Sequence, residues 1–316
     1  MMPLTYFSFG HLPLVSHDAA LGDQVLRAAG EALTKQDDRW PARRVLDASE
    51  GDWALRDHQI RYLAGRRGAG AAFEAWAEAE PEDADVLTGL AFTEVTAAWR
   101  ARGAGLSPTV RESAWPVFLD RLGRADRLLG RAAGLAPDNP GPRALALVTA
   151  RGLQVSRREF DTRWASLTAV DPDHRYGHHQ ALQYLAAKWY GSHEEMFAFA
   201  RAAAERVPDG HPLVLLPLLG QRELLLGDPE WCLGRQFGQE LTDCRRRWFD
   251  ATPLQHPRIA EDHSLLAALL SEAGRHAEAA AHFRAMGRHA STYGWQYWSA
   301  PRTVFRRNRG FAARVG

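Results

Sequence analysis

The side chains best suited to chemistry gather in one short stretch: His174, His178, His179 and His193, with Lys188 beside Trp189. His174 and His178 are four apart and would share one helix face, and with Asp171 as a third group that spacing suits a divalent cation. In a chain with 13 histidines the same pair also reads as a helix cap and a solvent-facing ring, which is the commoner outcome. Lys188 is one of only two lysines, the other being Lys35. Beside Trp189 it is a natural cation for a carboxylate, or a general base where desolvation lowers its pKa. The alternative is a stem packed along Trp189 with the ammonium in water.

Several catalytic classes find no support. There is no Gly-x4-Gly-Lys-Ser/Thr loop, no Gly-x-Ser-x-Gly elbow, and Gly68-Ala69-Gly70 lacks the third glycine of a dinucleotide fingerprint. His193-Glu194 is followed by Glu195-Met196-Phe197, so the second histidine of a zincin is missing. Cys232 and Cys244 are too far apart for a Cys-x-x-Cys site and read as reduced core thiols. No cofactor is expected.

Charge and composition narrow the partners. With 39 basic and 38 acidic residues the formal net charge is +1, and on that balance neither nucleic acid nor a membrane is expected as a partner. Arg245, Arg246 and Arg247, and the later set Arg302, Arg306, Arg307, Arg309 and Arg314, read as solvated faces or local anion patches. The dominance of Arg over Lys, with abundant Ala and Gly, points to a GC-rich bacterial coding sequence. No basic residue precedes Arg27, so the positive region of a signal peptide is lacking, and a cytoplasmic protein is expected. The longest apolar run, residues 212–220, contains Pro217 and is far shorter than the roughly 20 residues of a membrane span. Eleven tryptophans are many for 316 residues.

The elements that must position these side chains are helical throughout. Asp18 is the expected N-cap of a first helix running to Lys35. Residues 53–66 and 69–80 form a first helix pair. Ser107-Pro108 opens a further helix that Trp115-Pro116 kinks or interrupts, and Pro229 suits the first position of a long helix over 228–249. Residues 171–212 read as a full helix-turn-helix unit, its first helix running through Trp189. Ser192-x-x-Glu195 is a capping box at the start of its second helix.

A repeat underlies this pattern. Pro137, Pro172 and Pro208 each close an Ala-rich helix, and they stand 35 and 36 residues apart. Ala69, Phe73, Trp76 and Pro81 follow the second-helix signature Ala-x3-Phe-x2-Ala-x4-Pro at three of four positions, as do Ala125, Leu129, Ala132 and Pro137. Partial matches recur at Phe160/Trp164, Met196/Ala200 and Ala279/Phe283. The chain thus resembles the tetratricopeptide-like helical-repeat superfamily over residues 52–290. That resemblance implies an all-α, right-handed superhelical solenoid of antiparallel helix pairs. Residues 1–51 are expected as lead-in and capping helices. Residues 291–316 are expected as a C-terminal aromatic and basic cap, with Tyr293, Trp295, Tyr297 and Trp298 covering the last repeat or lining a ligand site.

Lys188-Trp189-Tyr190-Gly191-Ser192, with Met196, Phe199, Ala200 and Arg201 behind it, is similar to the Lys-Trp-x-Gly-Ser-x-x-x-Met motif of a bacterial domain-of-unknown-function family. The likeness implies the same fold and brings no activity with it. In such arrays first helices line the concave face, which places His58, Arg61, His178 and Lys188 there as ligand-binding candidates with Trp189 close by. The expected function is a binding protein that holds a peptide, partner protein or small ligand in that groove. The alternative is a cofactor-free or metal-assisted enzyme of secondary metabolism, using His, Lys and Glu in an aromatic-lined pocket.

Overall fold

In the computed structural model, residues 16, 18–103, 110–224, 235–291, 293–296, 298 and 300–316 are described. The expectations placed on Ser107-Pro108, Pro229, Cys232, Tyr297 and most of the N-terminal lead-in lie outside them. The described residues are helical with no strand, and only an isolated bridge joins Ser16 to His289. The expected all-α architecture of neighbouring helix pairs is what the chain adopts. It forms two compact units: a larger one, Asp23–Leu216, and a smaller one, Met1–Gly22 with Pro217–Gly316.

The larger unit holds five helix pairs. They are α1 (Gln24–Lys35) with α2 (Trp40–Asp47), α3 (Trp53–Ala64) with α4 (Ala69–Ala79), and α5 (Ala84–Arg102) with α6 (Ala114–Leu135). Next come α7 (Pro140–Gly152) with α8 (Arg157–Thr168), and α9 (Arg175–Leu185) with α10 (His193–Arg206). Local chemistry sets the starts. The carboxylates of Asp23, Asp52 and Asp83, the Asn139 amide and the Ser156 and Ser192 hydroxyls each accept an amide N–H in the first turn of the following helix. Pro116 falls in the first turn of α6, where its missing N–H costs nothing, so it starts the helix and does not kink it.

Two expected starts and stops differ. Asp18 does not cap α1; its carboxylate accepts the Ala20 amide in a turn, and Leu21 (φ 51) and Gly22 (φ 100) break the chain before Asp23 takes over as the cap. The first helix of the 171–212 unit ends at Leu185, not Trp189. The chain then folds back, with Trp189 N donating to Ala186 O and Tyr190 N to Tyr184 O. Gly191 is required there, because a Cβ would lie 2.1 Å from the Leu185 carbonyl oxygen. Ser192 caps α10 as expected, while Glu195 turns away to pair with Arg157 of α8.

First helices pack on first helices: α3 on α5, α5 on α7 and α7 on α9. Between α5, α6 and α7 the core is Ala91, Val95, Ala98, Phe118, Leu122, Leu129, Leu145 and Val148. Of the second-helix signature residues Phe73 and Ala200 are fully buried while Trp164 is half-buried, and a Cβ on Gly89 would strike the Phe73 ring at 2.1 Å, so small residues let α4 and α5 approach.

The smaller unit contains α11 (Leu216–Leu224, entered from the larger unit's last residue), α12 (Arg235–Arg245), α13 (Ile259–Glu272), α14 (His276–Ala285) and α15 (Pro301–Val315). A single π-helical turn, Arg246–Asp250, follows α12. Phe305 meets Phe283 and Trp295 edge to face, Phe283 and Trp295 stack, and the Trp295 indole N–H donates to Ser264 Oγ of α13. Trp295 is therefore core, while Trp298 is exposed.

Candidate functional site

The first-helix layer of the larger unit carries an unusual load of buried polar groups: His58, Gln59, Asp85, Thr88, Asn139, His174 and His178. Of these, Thr88 and Asn139 line a small crevice near the N-terminal ends of α5, α7 and α9, together with Arg56, Asp57, Arg61, Gly141 and Tyr176. Arg56 Nη1 donates to Asp85 Oδ2 at 2.9 Å, and Asn139 Nδ2 to Asp85 Oδ1 at 3.3 Å. Burial pushes the Asp85 carboxyl up, and Arg56 opposes that shift. Arg61 pairs with Asp57 at 2.7 Å and lies over the Tyr176 ring at 4.0 Å. The crevice is left with about 10 Å³, room for roughly one water. The side chains that could have gripped a ligand grip each other.

The candidates expected from the sequence are dispersed. Arg61 lines the crevice. His58 is buried in α3 and is not part of the crevice wall. His178 points away from the first-helix layer: its ring sits 4.9 Å from Trp164 of α8 and 5.8 Å from Phe199 of α10, and its Nδ1 bonds to the His174 carbonyl. Burial lowers its pKa to about 4. His174 caps α9, its Nδ1 accepting from Gly177 N at 3.1 Å, and burial lowers its pKa as well, against the opposing pull of Asp57 and Asp171. The His174 and His178 rings are thus each bonded to the backbone through Nδ1, and no group of three metal-ligating side chains occurs among the described residues.

Lys188 and Trp189 lie at the other end of the layer, where α5, α7 and α9 finish. Lys188 is exposed; Trp189 is half-buried against Trp99, with ring centroids 5.9 Å apart and the planes edge to face. Two arginines enter this assembly. The Arg102 guanidinium stands over Trp99 (5.5 Å), Trp115 (5.6 Å) and Trp189 (6.0 Å), and that of Arg151 over Trp99 (5.5 Å) and Trp189 (5.4 Å). Tyr190, 39% exposed, donates its hydroxyl to Arg151 O. Two cations therefore share the same two indoles, whose negative ring faces hold them, on a surface that is only partly covered. Trp99, Arg102, Trp115 and Arg151 were not among the residues singled out by sequence. The tryptophan excess was the one clue, and Arg102 follows Trp99 by one helical turn.

No protein-family model matches the chain, and no curated protein matches it in sequence. Among solved structures, the human IFIT1 dimer with PPP-AAAA is similar at 16% identity and a TM-score of 0.42. The alignment takes in 87% of this chain and 64% of that one, so the chain spans less than two thirds of its length. The fold defined here is a tetratricopeptide-like helical-repeat array, resting on the helix pairs themselves. That structure holds PPP-AAAA, and the expectation that nucleic acid is no partner of this chain is set aside. The physical flaw was to let a net charge of +1 stand for the whole surface, when Arg102 and Arg151 concentrate positive charge locally. No helix among the described residues is long and apolar enough to cross a membrane.

Proposed function

We propose that the protein is a helical-repeat binding scaffold whose larger unit takes an acidic segment of a partner protein at its tryptophan–arginine end. The observation that carries this reading is the sharing of Trp99 and Trp189 by the guanidiniums of Arg102 and Arg151. Trp, Tyr and Arg are the residue types that dominate binding energy at protein interfaces. Arg102 Nη1 donates to Gly103 O and Arg151 Nη1 to Gln180 Oε1, both at 3.2 Å. These neutral acceptors leave the positive charge of the two guanidiniums in place, and a carboxylate is met in the plane of a guanidinium. Because each of the two indoles already carries two guanidiniums, carboxylate recognition suits the site better than stacking of a flat ring. Exposed Lys188 adds a third cation at the rim.

The segment similar to the Lys-Trp-x-Gly-Ser family motif has a physical role in this reading. Its glycine permits the fold-back that lays Trp189 beside Trp99. The enzyme alternative finds less support, since His174 and His178 are buried on backbone partners and the crevice near Arg61 has no room for a substrate.

The test is fluorescence titration of the tryptophans with a deca-glutamate peptide and, separately, with deca-adenylate at the same ionic strength. Saturable peptide binding that Arg151→Gln weakens by at least tenfold, or about 1.4 kcal/mol, is expected. Binding of deca-adenylate at this end in place of the peptide, or an unchanged peptide affinity in Arg151→Gln, would overturn the reading.

A further inference from the structure

A second surface of the larger unit carries ligand chemistry of a different kind. A depression of about 290 Å³ opens over α5, bounded by the end of α3, the start of α4 and α6. It shares no lining residue with the tryptophan–arginine end. Three arginines line it: Arg66, Arg100 and Arg121.

Its carboxylates are already neutralised. Glu94, buried on the floor, accepts Arg121 Nη1 at 2.8 Å and Arg124 Nη1 at 2.7 Å, and Arg124 also holds Glu74. Arg66 and Arg100 are different. Arg66 donates through Nη1 to the Tyr62 hydroxyl at 2.6 Å, its Nε is buried without a hydrogen-bond partner, and it has no carboxylate partner among the described residues. Arg100 makes no ion pair or hydrogen bond among them. Among the described residues two positive charges thus have no carboxylate partner beside a space large enough for a small molecule.

The start of α4 faces the same space. Its N-cap is Gly68 in the left-handed region, at φ 88, so no side chain caps this 11-residue helix. The amides of its first turn, including those of Gly70 and Ala71 in the wall, have no intrahelical acceptor, and they carry the positive end of the helix dipole. A Cβ at Gly70 would meet nothing within 4 Å. Arginines supply charge, and first-turn amides supply short directional donors for a tetrahedral oxyanion. The volume is at the lower bound of ordinary ligand pockets, which run from about 300 Å³, so the whole ligand must be small.

We propose that this depression is a binding site for a small phosphate monoester. Its phosphate sits on the first turn of α4 between Arg66 and Arg100, and a hydroxyl-bearing remainder lies over Thr93, Thr96 and Glu74.

Two variants that leave the packing intact test it, with glycerol phosphate and inorganic phosphate as probes and chloride at matched ionic strength as control. Arg100→Gln removes one cation from an exposed position. Gly70→Asp puts a carboxylate into open space at the helix start, where it occupies the same amides while favouring the helix. Calorimetric titration of the wild type should show saturable binding of glycerol phosphate, weakened at least tenfold in Arg100→Gln and abolished in Gly70→Asp. Gly70→Asp should itself melt no lower than the wild type. Equal binding by wild type and Gly70→Asp, the same response with chloride, or no saturable binding by either probe would overturn the assignment.

Discussion

The two ends of one helix layer solve the problem of charge in opposite ways. Where α5, α7 and α9 begin, each arginine of the crevice finds a carboxylate, Arg56 on Asp85 and Arg61 on Asp57, and the space between them shrinks to about 10 Å³. Where the same helices end, Arg102 and Arg151 find tryptophan rings and stay partly exposed. Their polar partners include neutral ones, Gly103 O for Arg102 and Gln180 Oε1 for Arg151, both at 3.2 Å, where the crevice pairs its arginines with carboxylates. The convergence of several helices is thus no guide to a ligand site, since the crevice where α3, α5, α7 and α9 meet keeps only about 10 Å³.

Breaking the closed end should have the largest effect. Asp85→Ala leaves the Arg56 guanidinium, whose side chain is 16% exposed, with the Leu46 carbonyl and the Trp53 ring but without its carboxylate partner. Loss of one partner of a buried pair costs about 3–5 kcal/mol, readable in urea melts. A change under about 0.5 kcal/mol would mean that the crevice charges are solvated and the two ends alike.

Acid should act on the same end. Burial lowers the pKa of His174, and that of His178 to about 4, from the ordinary 6.5. The unfolded chain therefore binds more protons than the folded one as pH drops below about 6.5, so stability falls, and for His178 the fall is complete near pH 4. For His178 the loss is on the order of 3 kcal/mol. Melting temperatures across pH 4 to 7 should decline accordingly. A flat profile would mean that these rings are hydrated.

A smaller effect is expected beneath the tryptophan end. A Cβ on Gly152 would lie 2.3 Å from Leu122 and 3.5 Å from Trp99. Gly152→Ala should cost about 1–3 kcal/mol, as overpacking does, and shift the tryptophan emission. Unaltered emission would mean that Trp99 is not seated on this glycine. Smallest is Trp189→Ala, which forfeits one edge-to-face contact and two cation–ring contacts at a half-exposed site and should cost about 1 kcal/mol of stability. A loss of several kcal/mol would show that this end is core and not a binding surface.

What the sequence made legible was local. The closing prolines, the Ser192 cap and the inward Phe73 and Ala200 follow from contacts within one turn or one helix pair, and the helix-pair fold follows from them. Three kinds of feature were not legible. The left-handed Leu21, which ends the credentials of Asp18 as a cap, has no side-chain signature. Each helical residue turns the face by about 100°, and of the residues expected together on the concave face Arg61 lines the crevice while the His178 ring lies beside Trp164 and Phe199. The tryptophan–arginine end is built from Trp99, Arg151 and Trp189, some 40 to 50 residues apart in the chain, and only the stacking of first helices brings them together.

The contrast between the ends is tested most directly by titrating deca-glutamate into two variants that each remove one guanidinium, Arg61→Gln at the closed end and Arg151→Gln at the open one. Both residues are half-buried, so loss of folding is monitored alongside by melting temperature. The account predicts that Arg151→Gln weakens the peptide at least tenfold while Arg61→Gln binds it as the wild type does. Weakening by Arg61→Gln with Arg151→Gln unaffected would contradict it and move the site to the crevice.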